Sequence, residues 1–152
     1  MMLNDLIKLK KFTPEEKEYS LPMALRLLDL SKVVALYGVL GLLDATLSDS
    51  NALLRYGVRM VVDGNGSAYV ESELVKKILA LEYTDRKLLE SIIIAQGLLT
   101  FCDMAFTPTK TVEAITTLMG DEYATALMSK IREDHNPDEE LTEAEQAALL
   151  AD

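Results

Sequence analysis

The chain has 152 residues and a formal net charge of −10, from 25 acidic against 15 basic side chains; that length supports one full hydrophobic core and is short for two. The acid excess repels phosphate backbones and argues against nucleic-acid binding, and a single cysteine excludes an internal disulfide, as suits a reducing cytoplasm. Hydrophobic residues make up 49% and mean hydropathy is +0.12, so either the core is large or part of the surface is covered by another subunit, yet the longest uncharged stretches, 33–43 and 91–102, fall short of the roughly 18–20 residues a membrane-spanning helix needs.

In chain order, Leu3, Leu6, Ile7 and Leu9 predict a short amphipathic helix ending in Lys10-Lys11, where lysines suit the helix macrodipole. The N-terminus does not read as a signal peptide, because its lysines follow the apolar residues. Thr13-Pro14-Glu15-Glu16 is a strong helix start, with Thr13 as N-cap and Glu16 closing a capping box. This helix is expected to stop before Leu21-Pro22, since the residue preceding a proline is biased away from helical angles.

From Pro22 to Leu47, Leu25, Leu28, Val33, Leu36, Leu40, Leu43 and Leu47 recur at mostly three- and four-residue spacing, which predicts one long helix, buried on several sides from Val33 onward. Gly38 and Gly41 inside it predict either close approach of a neighbouring backbone or a bend. Ser48-Asp49-Ser50-Asn51 stops this helix and caps the next. That second helix runs to about Val62, with Leu54, Val58, Val61 and Val62 toward the first helix and Arg55 and Arg59 on the wet face. Asp63-Gly64-Asn65-Gly66 closes the unit, which reads as a central helical hairpin.

Further helices are expected from Ser67 to Leu81, from Thr84 to Asp103, from Thr107-Pro108 to Gly120 and from Asp121 to about Arg132. Residues 133–152 hold eight acids and no Lys or Arg, so the body is nearly neutral and the tail is acidic. His135-Asn136-Pro137 marks the edge, dividing the chain into a helical domain, 1–134, and an acidic C-terminal tail, 135–152, in which Thr142-x-x-Glu145 predicts a short helix carrying Leu149 and Leu150. The fold class is all-α: a single bundle of about six to eight helices built on the central hairpin, with the Thr84–Asp103 helix as its main partner.

The series Leu30-Ser31, Gly38-Val39-Leu40-x-Leu42, then Leu54-Arg55-x-Gly57-Val58-x-Met60-Val61-Val62-Asp63-Gly64 resembles the cytoplasmic segment of flagellar stator proteins of the MotA type, in the MotA/TolQ/ExbB group. The resemblance covers roughly sixty residues, from Met23 to Leu81, and rests on Gly38, Gly41, Gly57, Asp63 and Gly64 with their flanking leucines. It implies a shared helical hairpin and a motor-related partner. The family's rotor-facing arginine and glutamate are Ala35 and Leu43 in this chain, and its ion-conducting membrane helices have no counterpart, so ion transport is not implied.

No residue set carries recognisable catalysis, and no cofactor is implied. Asp63-x-Asn65-x-Ser67 begins like a calcium loop, but Ala68 and Leu74 stand where glycine and glutamate are required. Gly64-x-Gly66 lacks the strand of a dinucleotide site. His135 is the only histidine, so no multi-histidine metal site exists; Cys102 reads as an inert thiol, and Gln96 and Asp103 as polar residues satisfying backbone groups or marking a contact.

The function expected is that of a non-enzymatic, cytoplasmic adaptor or structural protein that touches other proteins or copies of itself. Its candidate contacts are Arg55, Arg59, Lys76, Lys77 and the acidic tail. The alternatives are a subunit of a larger symmetric assembly, viral for instance, and a small ligand-binding regulator whose Gln96, Cys102 and Asp103 meet in a cavity.

Overall fold

The computed structural model describes residues 2–8 and 11–133; the predicted tail helix and His135 lie outside them. The described chain is all-α, with eight α-helices, one short 3₁₀ turn and no strand. α1 is Leu3–Lys8, and its Leu3 and Leu6 are buried. α2 is Pro14–Tyr37, α3 Gly41–Thr46, α4 Ala52–Val62, α5 Ser67–Leu81, α6 Asp85–Thr100, α7 Pro108–Met119 and α8 Ala124–Glu133.

α2 begins as the sequence predicts. Thr13 accepts the Glu16 N–H at 3.2 Å and the Glu16 carboxylate accepts the Thr13 N–H at 3.0 Å, so two otherwise orphaned donors are satisfied. Its course then departs from expectation. Pro22 does not end the helix; α2 continues through it for four more turns. A proline inside a helix forfeits one backbone hydrogen bond and costs about 3 kcal/mol. Burial of Ala24, Leu27, Leu28, Leu30 and Val34 along α2 outweighs that, at about 1.5–3 kcal/mol for each large side chain.

The far end of α2 is a second correction. The expected helix to Leu47 stops at Tyr37, because Gly38 takes φ 75° and donates its N–H to Val34 O at 2.8 Å. Positive φ is costly for any residue with a Cβ and free for glycine, so the bend is set at Gly38. Gly41 supplies the close approach: a Cβ there would stand 3.0 Å from both Tyr37 Cβ and Val33 Cγ1. α3 therefore folds back at the corner instead of prolonging α2.

The central hairpin takes a different form as a result. α2 packs most extensively on α6, and α4 packs on α3, α5 and α6, with no substantial interface between α2 and α4. The expected partner helix is thus itself the centre. Ile92, Ile93, Ile94, Ala95 and Leu98 of α6 are buried, and two glycines let its neighbours close in: Gly97 faces the Leu27 side chain of α2, and Gly57 of α4 faces Leu98.

The remaining helices follow their sequence signals closely. Asn51 accepts the Leu54 N–H at 3.0 Å to start α4. Gly64, at φ 82°, follows its end, where the Asn65 side-chain amide donates to Met60 O at 3.1 Å. Gly66 rather than Ser67 occupies the N-cap position of α5. Gly120, at φ 101°, stops α7, and Asp121–Tyr123 form a 3₁₀ turn before α8 instead of its first turn.

Two buried hydroxyls, those of Ser20 on α2 and Thr116 on α7, are left unpaired among the described residues. The Ser20 hydroxyl, fully buried on α2, has no hydrogen-bond partner. Removing an unsatisfied buried hydroxyl recovers its desolvation cost, and alanine is the better helix former, so Ser20→Ala is expected to raise unfolding stability by about 1 kcal/mol in a urea titration. A loss of stability would show that the hydroxyl has a partner.

Candidate protein-contact face

The corner that Gly38 makes has a consequence for the apolar stripe. Leu36, Tyr37, Leu40 and Leu47 are 74%, 73%, 69% and 75% exposed, and Leu43 is 38% exposed. The sequence periodicity places these leucines in the core; the structure places them in water. Five large apolar side chains exposed within 12 residues form a concentrated patch of the kind that marks interaction sites, unlike leucines scattered singly over a surface.

Specific contacts hold α3 in this position. Leu42 is fully buried and anchors its inner side, while the Thr46 hydroxyl donates to Leu42 O at 2.7 Å. From α2, Arg26 donates to Ala45 O at 2.6 Å and pairs with the Asp49 carboxylate at 3.5 Å. Asp49 in turn accepts the Asn51 N–H at 2.9 Å, and its backbone carbonyl accepts from Arg55. With both ends of α3 fixed, Leu40, Leu43 and Leu47, at three- and four-residue spacing, share its outer side.

Arg55 and Arg59 border this patch. Together with Leu43, Thr46, Leu47 and Val58 they line a shallow pocket of about 60 Å³. Both arginines are exposed, so the face combines an apolar centre with a basic edge. Lys76 and Lys77 lie elsewhere: Lys76 pairs with Glu73 at 3.2 Å, and Lys77 sits 4.7 Å over the Tyr56 ring, beside a separate cleft lined by Ala52, Leu53 and Leu81. Gly57 is buried and Asp63 exposed at the end of α4; neither belongs to the face.

A second cleft, of about 480 Å³, opens between α2, the start of α4 and α6, with Tyr19, Met23, Asn51, Leu53, Tyr83 and Glu90 among its walls. Lys87, on its wall, lies 5.4 Å over the Tyr83 ring, and the adjacent Arg86 lies 4.5 Å over that of Tyr19. Burial raises the Glu90 carboxyl above the usual carboxylate range, and nearby Lys87 partly offsets this. A carboxyl whose folded pKa is raised makes folding less favourable once pH passes its unfolded pKa, and the cost is gone at lower pH, where both states are protonated. Glu90→Gln is therefore expected to raise the melting temperature at pH 7 and leave it unchanged near pH 3, as scanning calorimetry would show.

Gln96, Cys102 and Asp103 line none of these three depressions. The Cys102 thiol is half-buried, which pushes its pKa up, and lies 3.9 Å from Leu98 O. Asp103 is exposed; the hydrogen bond from Lys110, at 2.9 Å, and that from the Ala105 N–H, at 2.8 Å, hold its carboxyl below the usual range. Among the described residues no three His, Cys, Asp or Glu side chains gather as a metal site, and no helix is long and apolar enough to cross a membrane.

Sequence reasoning missed the exposed face because periodicity reports which side of a helix is apolar and not where the helix ends. The available signal was Gly38-x-x-Gly41 followed by Asp44, a charge inside the supposed buried stripe. No protein-family model, curated protein or solved structure matches the chain.

Proposed function

We propose that this protein is a non-enzymatic helical adaptor that works in the cytoplasm by binding another protein through the Leu36–Leu47 face. The observation that supports this reading is the set of five exposed apolar side chains at the end of α2 and along the braced α3, with Arg55 and Arg59 beside Leu43 and Leu47. Apolar anchors with a charged rim suit an amphipathic helix carrying acidic residues beside its apolar stripe.

The stator resemblance falls on this segment, and a motor-related partner is part of the proposal. Ala35 and Leu43, which replace that family's rotor-facing charges, are both exposed here, so recognition would be apolar in place of ionic. Charge at the edge should tune the contact without creating it. In affinity capture from a lysate of the source cells, Arg55→Glu/Arg59→Glu is expected to lower partner recovery at least several-fold, while Lys76→Glu/Lys77→Glu leaves it unchanged. Equal loss with both pairs would point to a general charge effect and overturn the assignment of the face.

A further inference from the structure

We propose that a second copy of this chain covers the Leu36–Leu47 face, in a weak twofold dimer that packs α3 against α3 and keeps the face closed until a protein partner displaces it. The displacement rests on the protein-contact reading above; the self-association does not.

α3 itself has the chemistry that the face calls for. Leu40 and Leu47, at its two caps, both keep helical backbone angles, so the element extends to about two turns. On it Leu40, Leu43, Asp44 and Leu47 fall at three- and four-residue spacing and share one side. It is therefore an amphipathic helix with an acid set into its apolar stripe, presented beside two arginines. Asp44 and Arg59 are both exposed, and neither makes an ion pair within its own chain. A second copy brings a partner for each.

Twofold symmetry makes the match reciprocal, since every contact in such a dimer is made twice. With the two α3 helices antiparallel about an axis at their middle, Leu40 of each copy stands opposite Leu47 of the other, and both Leu43 side chains lie near the axis. Arg59 lines the same shallow pocket as Leu43, so the arrangement brings Asp44 of one copy toward Arg59 of the other. From their exposures the five apolar side chains offer about 600 Å² per copy, and Asp44, Arg55 and Arg59 bring this near the roughly 800 Å² per partner of a standard interface. An interface at that limit, with no deep pocket for an anchor, suits a dissociation constant on the order of 10 μM, weak enough for a protein partner to displace the second copy.

The test is sedimentation velocity of the full chain over about 0.5–200 μM, where mass action should carry it from monomer to dimer. The mass is expected to rise from 16.8 kDa toward twice that value, while Leu43→Asp/Leu47→Asp stays monomeric throughout. A monomer at every concentration would overturn the proposal, and so would a dimer that survives the double substitution, which would place self-association on another face. Charge reversal reads the pairing itself. Asp44→Arg and Arg59→Asp, each alone, are expected to associate at least fivefold more weakly, because each sets like charges together twice. An equal mixture of the two variants should regain the unmodified affinity, since the mixed dimer carries both ion pairs in the reverse sense. Unchanged association of either variant, or a mixture no tighter than its components, would overturn the twofold pairing. The protein-contact reading fails separately, by partner capture that Leu43→Asp/Leu47→Asp leaves intact, whatever the mass in solution.

Discussion

Gly97→Val is expected to lower unfolding stability by about 3 kcal/mol. A Cβ on Gly97 would stand 2.9, 3.1 and 3.3 Å from Leu27 Cδ1, Cδ2 and Cγ, and Leu27 is fully buried, so its displacement must be absorbed by a packed core. Valine adds two methyl groups to that clash at the α2–α6 crossing, the most extensive helix pair in the fold. The better helix propensity of valine offsets only a few tenths of a kcal/mol. In a thermal melt the loss corresponds to a drop of about 6–12 °C. Gly97→Ala should fall between the two, and full retention of stability by the valine variant would mean that α2 and α6 do not meet at this point.

Leu43→Asp/Leu47→Asp is expected to leave the fold intact and remove partner binding. Buried in a helix core, two leucine-to-aspartate changes would cost well over 5 kcal/mol and unfold a domain of ordinary stability. On an exposed face, substitutions typically stay within about 0.5 kcal/mol each, so circular dichroism and the urea midpoint should match the unmodified chain. Binding should instead fall by at least a hundredfold, because apolar anchors at the centre of a contact carry most of its energy. The two outcomes separate the observed corner from the single long helix that periodicity alone suggests.

Much of the fold is legible in the sequence because its local signals are chemical. Thr13-Pro14-x-Glu16, Asn51 and Thr107-Pro108 start helices, and Gly64 and Gly120 follow or stop them, each through a hydrogen bond or a backbone angle that the residue type itself dictates. The inward stripes of α4, α5 and α6 are likewise mostly buried where their spacing puts them, with Leu81 at the end of α5 exposed as the exception. Two features depend on long-range packing and so lie beyond local signals. Pro22 is tolerated because the neighbouring helices cover α2 on both sides of it. Gly38 can serve a close approach or a bend, and only the docking of Leu42 and Arg26 selects the bend. That choice turns the Leu36–Leu47 stripe outward, and with it the candidate site. Arg55 and Arg59 were legible as wet residues, but their place beside Leu43 and Leu47 follows from the turn of α3 and not from spacing.

The most direct test of the contact face is quantitative affinity capture of the full chain and of its Leu43→Asp/Leu47→Asp variant from the same source lysate, after matched urea midpoints have shown that both are folded. A protein recovered at high abundance with the unmodified chain and at background level with the variant is the predicted result. Equal recovery with both chains, or no specific protein with either, would contradict the account.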